Sequence, residues 1–391
     1  MSPGRLLTLN AGSSSLKFGV YGSAAELPLL LAGQVSGLGG AARFRARAGA
    51  TVLADEPWSD VSAFDAALER LFEWLTASGW DHDLQAVGHR IVHGGLAFRR
   101  PIVLTPEVVD ELARLSALAP LHQPFNLRAC SRAAARYPAA IQVGVFDTAF
   151  HADQPRTARL YGLPRSLAEE GVLAYGFHGL SYAYIADQLR SAMGAAAGGR
   201  AIVLHLGSGV SLCALQNGRS VATTMGFSAL DGPPMSTRSG ALDPGVVLHL
   251  LQAKGLSVDQ VTDLLYHRSG LLGLSGLTGD MVALLASDHP HAREALDVYT
   301  YRLAREIGSL TAALGGLDTL VFTAGVGENA PAIRRRVAEL SGWLGVRLDD
   351  AANEAGARSI SRPDSGVQVL VIPTDEQVVI ARGVLERLSP A

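Results

Sequence analysis

The chain has 391 residues, 48% of them apolar and 18% charged, with a formal net charge of −3 and only two cysteines. This is a globular composition with material for about two domains, and its small net charge gives no electrostatic ground for binding nucleic acid or an anionic membrane. No apolar run reaches the roughly 18 residues of a membrane span, the first residues lack a signal-peptide pattern, and Cys130 and Cys213 stand in no metal-ligand spacing, so a cytoplasmic protein with free thiols and small soluble partners is expected.

Residues 5–21 read as strand, turn and strand: Leu6, Leu7 and Leu9 are apolar, Ala11–Ser15 is small and polar, and Leu16–Tyr21 is apolar again. Phe64, Ala67, Leu68, Leu71, Phe72 and Leu75 recur at helical spacing, with Gly79 as a stop. Ile141–Phe146 reads as a strand that ends at Asp147, where α/β proteins place polar site residues. The Ala/Gly-rich stretch 191–200 reads as a surface connection. Residues 201–215 then repeat the opening pattern, and both segments carry Ser-Leu, at Ser15-Leu16 and Ser211-Leu212, which points to duplicated domains. A longer helical stripe, Leu296, Tyr299, Leu303, Ile307, Leu310 and Leu314, ends at Gly315-Gly316. Residues 318–323 read as a buried strand, followed by a glycine turn and a helix opened by Pro331. Strands alternating with helices make the class α/β.

Three glycine-rich turns follow apolar strands, at Asn10–Ser15, His205–Gly209 and Gly325–Asn329. Backbone N–H groups in such turns form anion-binding nests. Hydroxyls of Ser13, Ser14 and Ser15 add donors, and Lys17 adds charge. No turn ends in the Gly-Lys-Ser/Thr of a P-loop, and Gly325-Val-Gly-Glu-Asn lacks the third glycine of a dinucleotide fingerprint. Three such turns point instead to a nucleotide held between two domains.

Asn10-Ala-Gly-Ser-Ser-Ser-Leu-Lys17, Phe146-Asp-Thr-Ala-Phe-His151, Phe177-His178-Gly179, Thr237-Arg-Ser-Gly240 and Phe322-Thr-Ala-Gly-Val-Gly-Glu-Asn329 together resemble the signatures of the acetate kinase family, in family order over residues 8–382. The resemblance implies the duplicated two-domain fold shared by acetate and sugar kinases and actin-like ATPases, with the active site in the interdomain cleft. The expected division is 1–148 plus 377–391 for an acyl-side domain and 149–376 for a nucleotide-side domain. It also implies a homodimer, and reversible ATP-dependent phosphorylation of acetate by direct in-line transfer.

The residue roles below are what the resemblance implies. Arg90 and Arg238 would grip carboxylate and phosphate, as a guanidinium fork can. His178 would donate to the transferring phosphoryl, and His122 resembles a second active-site histidine, although Gln123 and Phe125 beside it depart from the family pattern. Asp147 matches a catalytic aspartate. A hydroxyl acceptor would need it as a base, but a carboxylate is already ionised at neutral pH. With acetate as acceptor, Asp147 orients groups or acts through water on the metal. Asn10 and Glu376 would hold Mg2+, with Mn2+ as the alternative, and ATP/ADP is the co-substrate. Val92, Leu121 and Phe177 would wall the acyl pocket. Lys17, His205, Leu206, Gly207, Ser208, Gly209, Asp280, Met281, Val282, Gly325, Val326, Gly327, Glu328 and Asn329 would contact the nucleotide.

Three further positions depart from the family pattern. Ser208 replaces an asparagine and Val282 an arginine, which weakens or reroutes nucleotide contacts. Ala229 replaces a proline of the acyl wall, so a longer acid such as propionate gains room. The alternatives are therefore a propionate or other short-chain acyl kinase, a sugar kinase with Asp147 as base, and a catalytically impaired nucleotide-binding regulator.

Overall fold

The computed structural model describes residues 4–12, 15–59, 61, 63–120, 122–193 and 199–388. The chain separates into two compact units, Met1–Ala152 with Asp375–Ala391, and Asp153–Thr374. Strands of the first unit are β1 (Arg5–Ala11), β2 (Ser15–Gly22), β3 (Leu29–Ser36), β4 (Arg43–Ala48), β5 (Thr51–Pro57), β6 (Leu84–Ile91), β7 (Ile102–Val103) and β8 (Ile141–Phe146). Those of the second are β9 (Arg200–Leu206), β10 (Val210–Gln216), β11 (Arg219–Thr223), β12 (Thr319–Thr323) and β13 (Gln368–Val371). The helices that bear on the sites are α1 (Phe64–Ala77), α2 (Gln123–Arg136), α3 (Gly179–Met193), α4 (Met281–Leu285), α5 (Pro290–Leu314), α6 (Ala324–Asn329), α7 (Pro331–Leu340) and α8 (Glu376–Leu388).

In the first unit the sheet runs β5-β4-β3-β2-β1-β6-β8-β7. β1 and β2 pair antiparallel, with Asn10 opposite Lys17, whereas β1, β6 and β8 run parallel. The α1 stripe buries all six of its predicted apolar residues. They join a core with Leu7, Leu9, Phe18, Phe44 and Trp58, and Phe44 stacks on Trp58 at 4.4 Å. Helix α8 packs on β1, β6 and β8. Its close approach depends on Gly88, where an added Cβ would lie 2.5 Å from Val384 Cγ2 and 2.7 Å from Ile380 Cγ2. The first turn of α8 carries Glu376, so this packing positions that carboxylate.

The second sheet runs β11-β10-β9-β12-β13. Again two antiparallel pairings, β11 to β10 and β10 to β9, are followed by two parallel ones, β9 to β12 and β12 to β13. The first unit contains the same plan as β3-β2-β1-β6-β8, so the repeat read from residues 5–21 and 201–215 extends to whole sheets. α5 buries its predicted stripe and stops at Gly315, which is left-handed at φ 68°. Two local readings are corrected. Residues 325–329 form the helix α6, not an open glycine turn: Ala324 reverses the backbone at φ +65°, and the small residues that follow wind into a helical turn with Gly327 buried. Residues 191–193 close α3 instead of opening a loop, while 194–198 lie outside the described residues.

Candidate active site

In the first unit, parallel strands deliver their polar residues to neighbouring positions. Asn10 leaves β1, Arg90 lies near the end of β6, Asp147 opens a short 3₁₀ turn immediately after β8, and Glu376 begins α8. Arg90 Nη2 donates to Asp147 Oδ2 at 2.6 Å, and its Nε donates to Oδ1 and Oδ2 at 3.2 and 3.1 Å. Arg90 Nη1 donates to Asn10 Oδ1 at 3.0 Å, and Asn10 Nδ2 donates to Glu376 Oε2 at 2.7 Å. The Asp147 side chain is only 1% exposed and that of Arg90 15%. Burial alone would lower the Arg90 pKa, but the charges of Asp147 and Glu376 outweigh it and hold the guanidinium cationic. A guanidinium has five N–H groups. Three are used here, which leaves one on each terminal nitrogen as a pair of donors for an anionic ligand.

A buried set of amides braces this cluster. Asn126 on α2 accepts from Val92 N at 3.0 Å and donates to the Ala11 carbonyl at 2.7 Å, tying the ends of β1 and β6 together. Gln123 is fully buried; it accepts from His93 N and donates to the carbonyls of His93 and Leu112. Thr148 Oγ1 accepts from Gly94 N. Thus Gln123, noted above only as a departure from the family pattern, serves as a backbone clamp. His122 precedes the same helix without a side-chain capping bond and is half-buried, and Val92 is buried just after β6.

The second unit holds a cavity of about 760 Å³, lined among others by Gly207, Ser208, Asp280, Met281, Val282, Gly325, Val326 and Asn329. The turn after β9 is closed by a bond from Gly207 N to the Gly209 carbonyl, and the Ser208 carbonyl accepts from Ser236 N. Asp280 caps α4, accepting from Ala283 N at 2.8 Å, which places Met281 and Val282 on the wall. Asn329 Nδ2 donates to the Gly325 carbonyl, and the buried Arg334 on α7 donates to the carbonyls of Gly327 and Glu328, pinning α6. Beside the cavity turn, Gly209 admits two cationic or polar groups. A Cβ there would meet His178 Nε2 at 3.2 Å and Arg238 Nη1 at 3.7 Å. Arg238 Nη1 also donates to the Ala229 carbonyl at 2.9 Å. Phe177, before His178, is buried.

The acetokinase family model matches residues 5–382. The acetate kinase of Rhodopseudomonas palustris (strain TIE-1) is 50% identical over 386 residues, covering 97% of each chain. That of Rhizobium meliloti is 50% identical over 389 residues, covering 98% of each. The chain belongs to the acetokinase family. Among solved structures, Porphyromonas gingivalis acetate kinase matches with a TM-score of 0.85 at 34% identity, covering 99% of this chain and 100% of that one. A propionate kinase from Francisella tularensis subsp. tularensis SCHU S4 matches at 0.89 and 31%, covering 97% and 98%.

Within this acetokinase fold, Asn10, Arg90, Asp147 and Glu376 form one hydrogen-bonded cluster, and His178 and Arg238 both approach Gly209 of the Gly207–Gly209 turn. Eight of the expected nucleotide residues line the cavity; His205 and Leu206 at the end of β9, Gly209 in the turn after it, and Gly327 and Glu328 in α6 do not line it, and Lys17 is exposed on β2 of the first unit. Ser13, Ser14 and Leu121 lie outside the described residues. Ser236, Thr237, Leu271, Gly279, Tyr299 and Pro331 also line the cavity. Of these, Tyr299 was read only as part of an apolar stripe and Pro331 only as a helix start, because neither carries a site-like pattern. Val282 is 75% exposed and offers the cavity only an aliphatic surface.

Proposed function

We propose that this chain catalyses reversible phosphoryl transfer from ATP to acetate, giving acetyl phosphate and ADP. The observation that carries this reading is the match to acetate kinases over essentially the full length of both chains. The site chemistry agrees with it. The two remaining N–H groups of Arg90 suit the two oxygens of a carboxylate. Both Asp147 oxygens are occupied by Arg90, which suits an orienting role and not proton abstraction, and an ionised acceptor has no proton to lose. The carboxylate oxygen attacks the γ-phosphorus, the bond to the bridging oxygen breaks, and ADP leaves with the bonding pair. Arg238 and His178 act on the phosphoryl oxygens, whose charge spreads in a loose transition state. The cavity of the second unit takes the adenosine moiety, against Val282, Leu285 and Pro331.

The donor set at Asn10 and Glu376 fits Mg2+. Asn10 can offer Oδ1, which here accepts from Arg90 Nη1, and Glu376 can offer its carboxylate; the 2.7 Å contact between the two side chains runs through Asn10 Nδ2. Such a sparse site suits an ion that keeps water and phosphate oxygens as ligands. When bound, the ion neutralises phosphate charge. The protein acts in the cytoplasm as a homodimer.

Propionate is a second substrate. Ala229 is half-buried, its carbonyl accepts from Arg238, and its side chain is smaller than the proline that the family pattern implies there. One methylene in an apolar pocket is worth about 1–3 kcal/mol, roughly tenfold to two-hundredfold; with the smaller wall relieving that penalty, propionate is used within about tenfold of acetate, or better. ADP-coupled measurement of kcat/KM for acetate, propionate and butyrate tests both statements. No ADP release with any short acid removes the acyl-kinase reading, and a preference for acetate above about a hundredfold removes the propionate one.

A further inference from the structure

We infer that Ser211 and Tyr182 are positioning residues that hold His178 as the tautomer protonated on Nε2, so that the ring donates a hydrogen bond toward the phosphoryl site at the Gly207–Gly209 turn. The inference rests on the phosphoryl-transfer reading for its catalytic consequence, but the tautomer itself does not.

The imidazole is fixed from several sides. His178 sits at φ +56°, a left-handed conformation that costs a non-glycine residue free energy and is retained only when surroundings enforce it. Its ring stacks on that of His205, with centroids 4.1 Å apart and planes 19° apart. His205 Nδ1 is in turn bonded to Ser181 Oγ at 2.9 Å. His178 Nδ1 lies 2.8 Å from Ser211 Oγ, and Ser211 Oγ lies 2.5 Å from Tyr182 Oη. Nε2 faces Gly209 beside Arg238 Nη1. Helix α3 begins immediately after His178, and Tyr182 N in its first turn bonds to the His178 carbonyl. Ser211 comes from β10, opposite His205.

Proton counting then sets direction. Ser211 and Tyr182 are both fully buried, so neither hydroxyl proton is given to bulk water. Burial holds the Tyr182 phenol far above its ordinary pKa, keeping it protonated. A phenol is the stronger donor and an alkyl hydroxyl the better acceptor, so Tyr182 donates to Ser211. Ser211 Oγ then spends its single hydrogen on His178 Nδ1. An accepting Nδ1 in a neutral imidazole requires the proton on Nε2. In the neutral ring the reverse direction would aim a bare nitrogen lone pair at phosphate oxygens.

The test combines spectroscopy with kinetics on the full chain. In ¹⁵N-histidine protein at about pH 8, above the ordinary histidine pKa of ~6.5, the His178 signal, assigned by its loss in His178→Gln, is expected as Nε2–H with an unprotonated Nδ1. Ser211→Ala is expected to mix the tautomers and lower kcat roughly tenfold to a hundredfold, less than the roughly hundredfold to thousandfold of losing a transition-state donor outright, with KM for ATP and acetate within about twofold. Tyr182→Phe, a near-isosteric change that keeps the fold testable, lowers kcat less. The double variant is expected to match Ser211→Ala alone, because the two hydroxyls act in series. An Nδ1–H tautomer in the unsubstituted protein overturns the inference. So do single variants with kcat unchanged, or losses that simply multiply. Failure of the unsubstituted protein to make acyl phosphate would instead count against the functional reading and leave the tautomer result standing.

Discussion

Replacing Asp147 with asparagine separates an orienting carboxylate from a catalytic base. Asp147 accepts three contacts from Arg90 between 2.6 and 3.2 Å, in a setting where the carboxylate is almost wholly buried. Removing one charge of a buried pair costs about 3–5 kcal/mol. Asparagine keeps one acceptor oxygen, and Glu376 remains as a second anion near Arg90, so the lower end, about 3 kcal/mol, is expected for unfolding. If about half of that loss falls on placement of the guanidinium, kcat/KM for acetate drops at least tenfold, since ~1.4 kcal/mol is a factor of ten. Denaturant titration followed by tryptophan fluorescence gives the first quantity, and ADP-coupled rates over an acetate series give the second. The residual rate should not acquire a new dependence on pH, because no acceptor proton is transferred. Unfolding within about 0.5 kcal/mol of the original protein, together with kcat/KM within twofold, would refute the reasoning.

Glu376→Gln weakens the proposed magnesium site and should raise the magnesium concentration for half-maximal rate by about tenfold or more; an unchanged titration would remove Glu376 from that role. Gly88→Ala places a methyl group within 2.7 Å of Ile380 and Val384, both fully buried, and should destabilise the first unit by about 1–3 kcal/mol. Adding Val384→Ala should recover part of that loss if the clash is its cause. Burial depresses the pKa of His89 and of His93 from the ordinary 6.5 to about 4. Between these values the unfolded chain binds more protons than the native one, so stability is complete above about pH 6.5 and is lost progressively toward pH 4. Denaturant midpoints measured from pH 7.5 to 4.5 should fall across that window, and a flat profile would contradict neutral, buried histidines.

Much of the fold was legible because its signals are local. The stripes on α1 and α5 are periodic over several turns, and the segment 5–21 has a recognisable echo at 201–215, which the sheets extend to five strands each. The turn predicted at Gly325–Asn329 became α6 because a single left-handed residue, Ala324, redirects the backbone, and nothing in alanine announces that. The candidate chemistry was legible through motifs, yet its support was not. Gln123, Asn126 and Arg334 act through backbone groups between 6 and 115 residues away. Such bonds leave no spacing in the sequence. The same holds for Ser211, which in the sequence marks only the repeat and in the fold lies within hydrogen-bond reach of His178. Tyr299 was read as core, and it is core: it is 1% exposed while also lining the cavity.

The central claim is that the acceptor is a carboxylate. Incubating the protein with Mg-ATP, acetate and hydroxylamine tests it directly, because only an acyl phosphate is trapped as a hydroxamate. The account predicts acetohydroxamate in step with ADP and its loss in Arg90→Ala. ADP release from acetate without hydroxamate, or hydroxamate formation undiminished in Arg90→Ala, would contradict it.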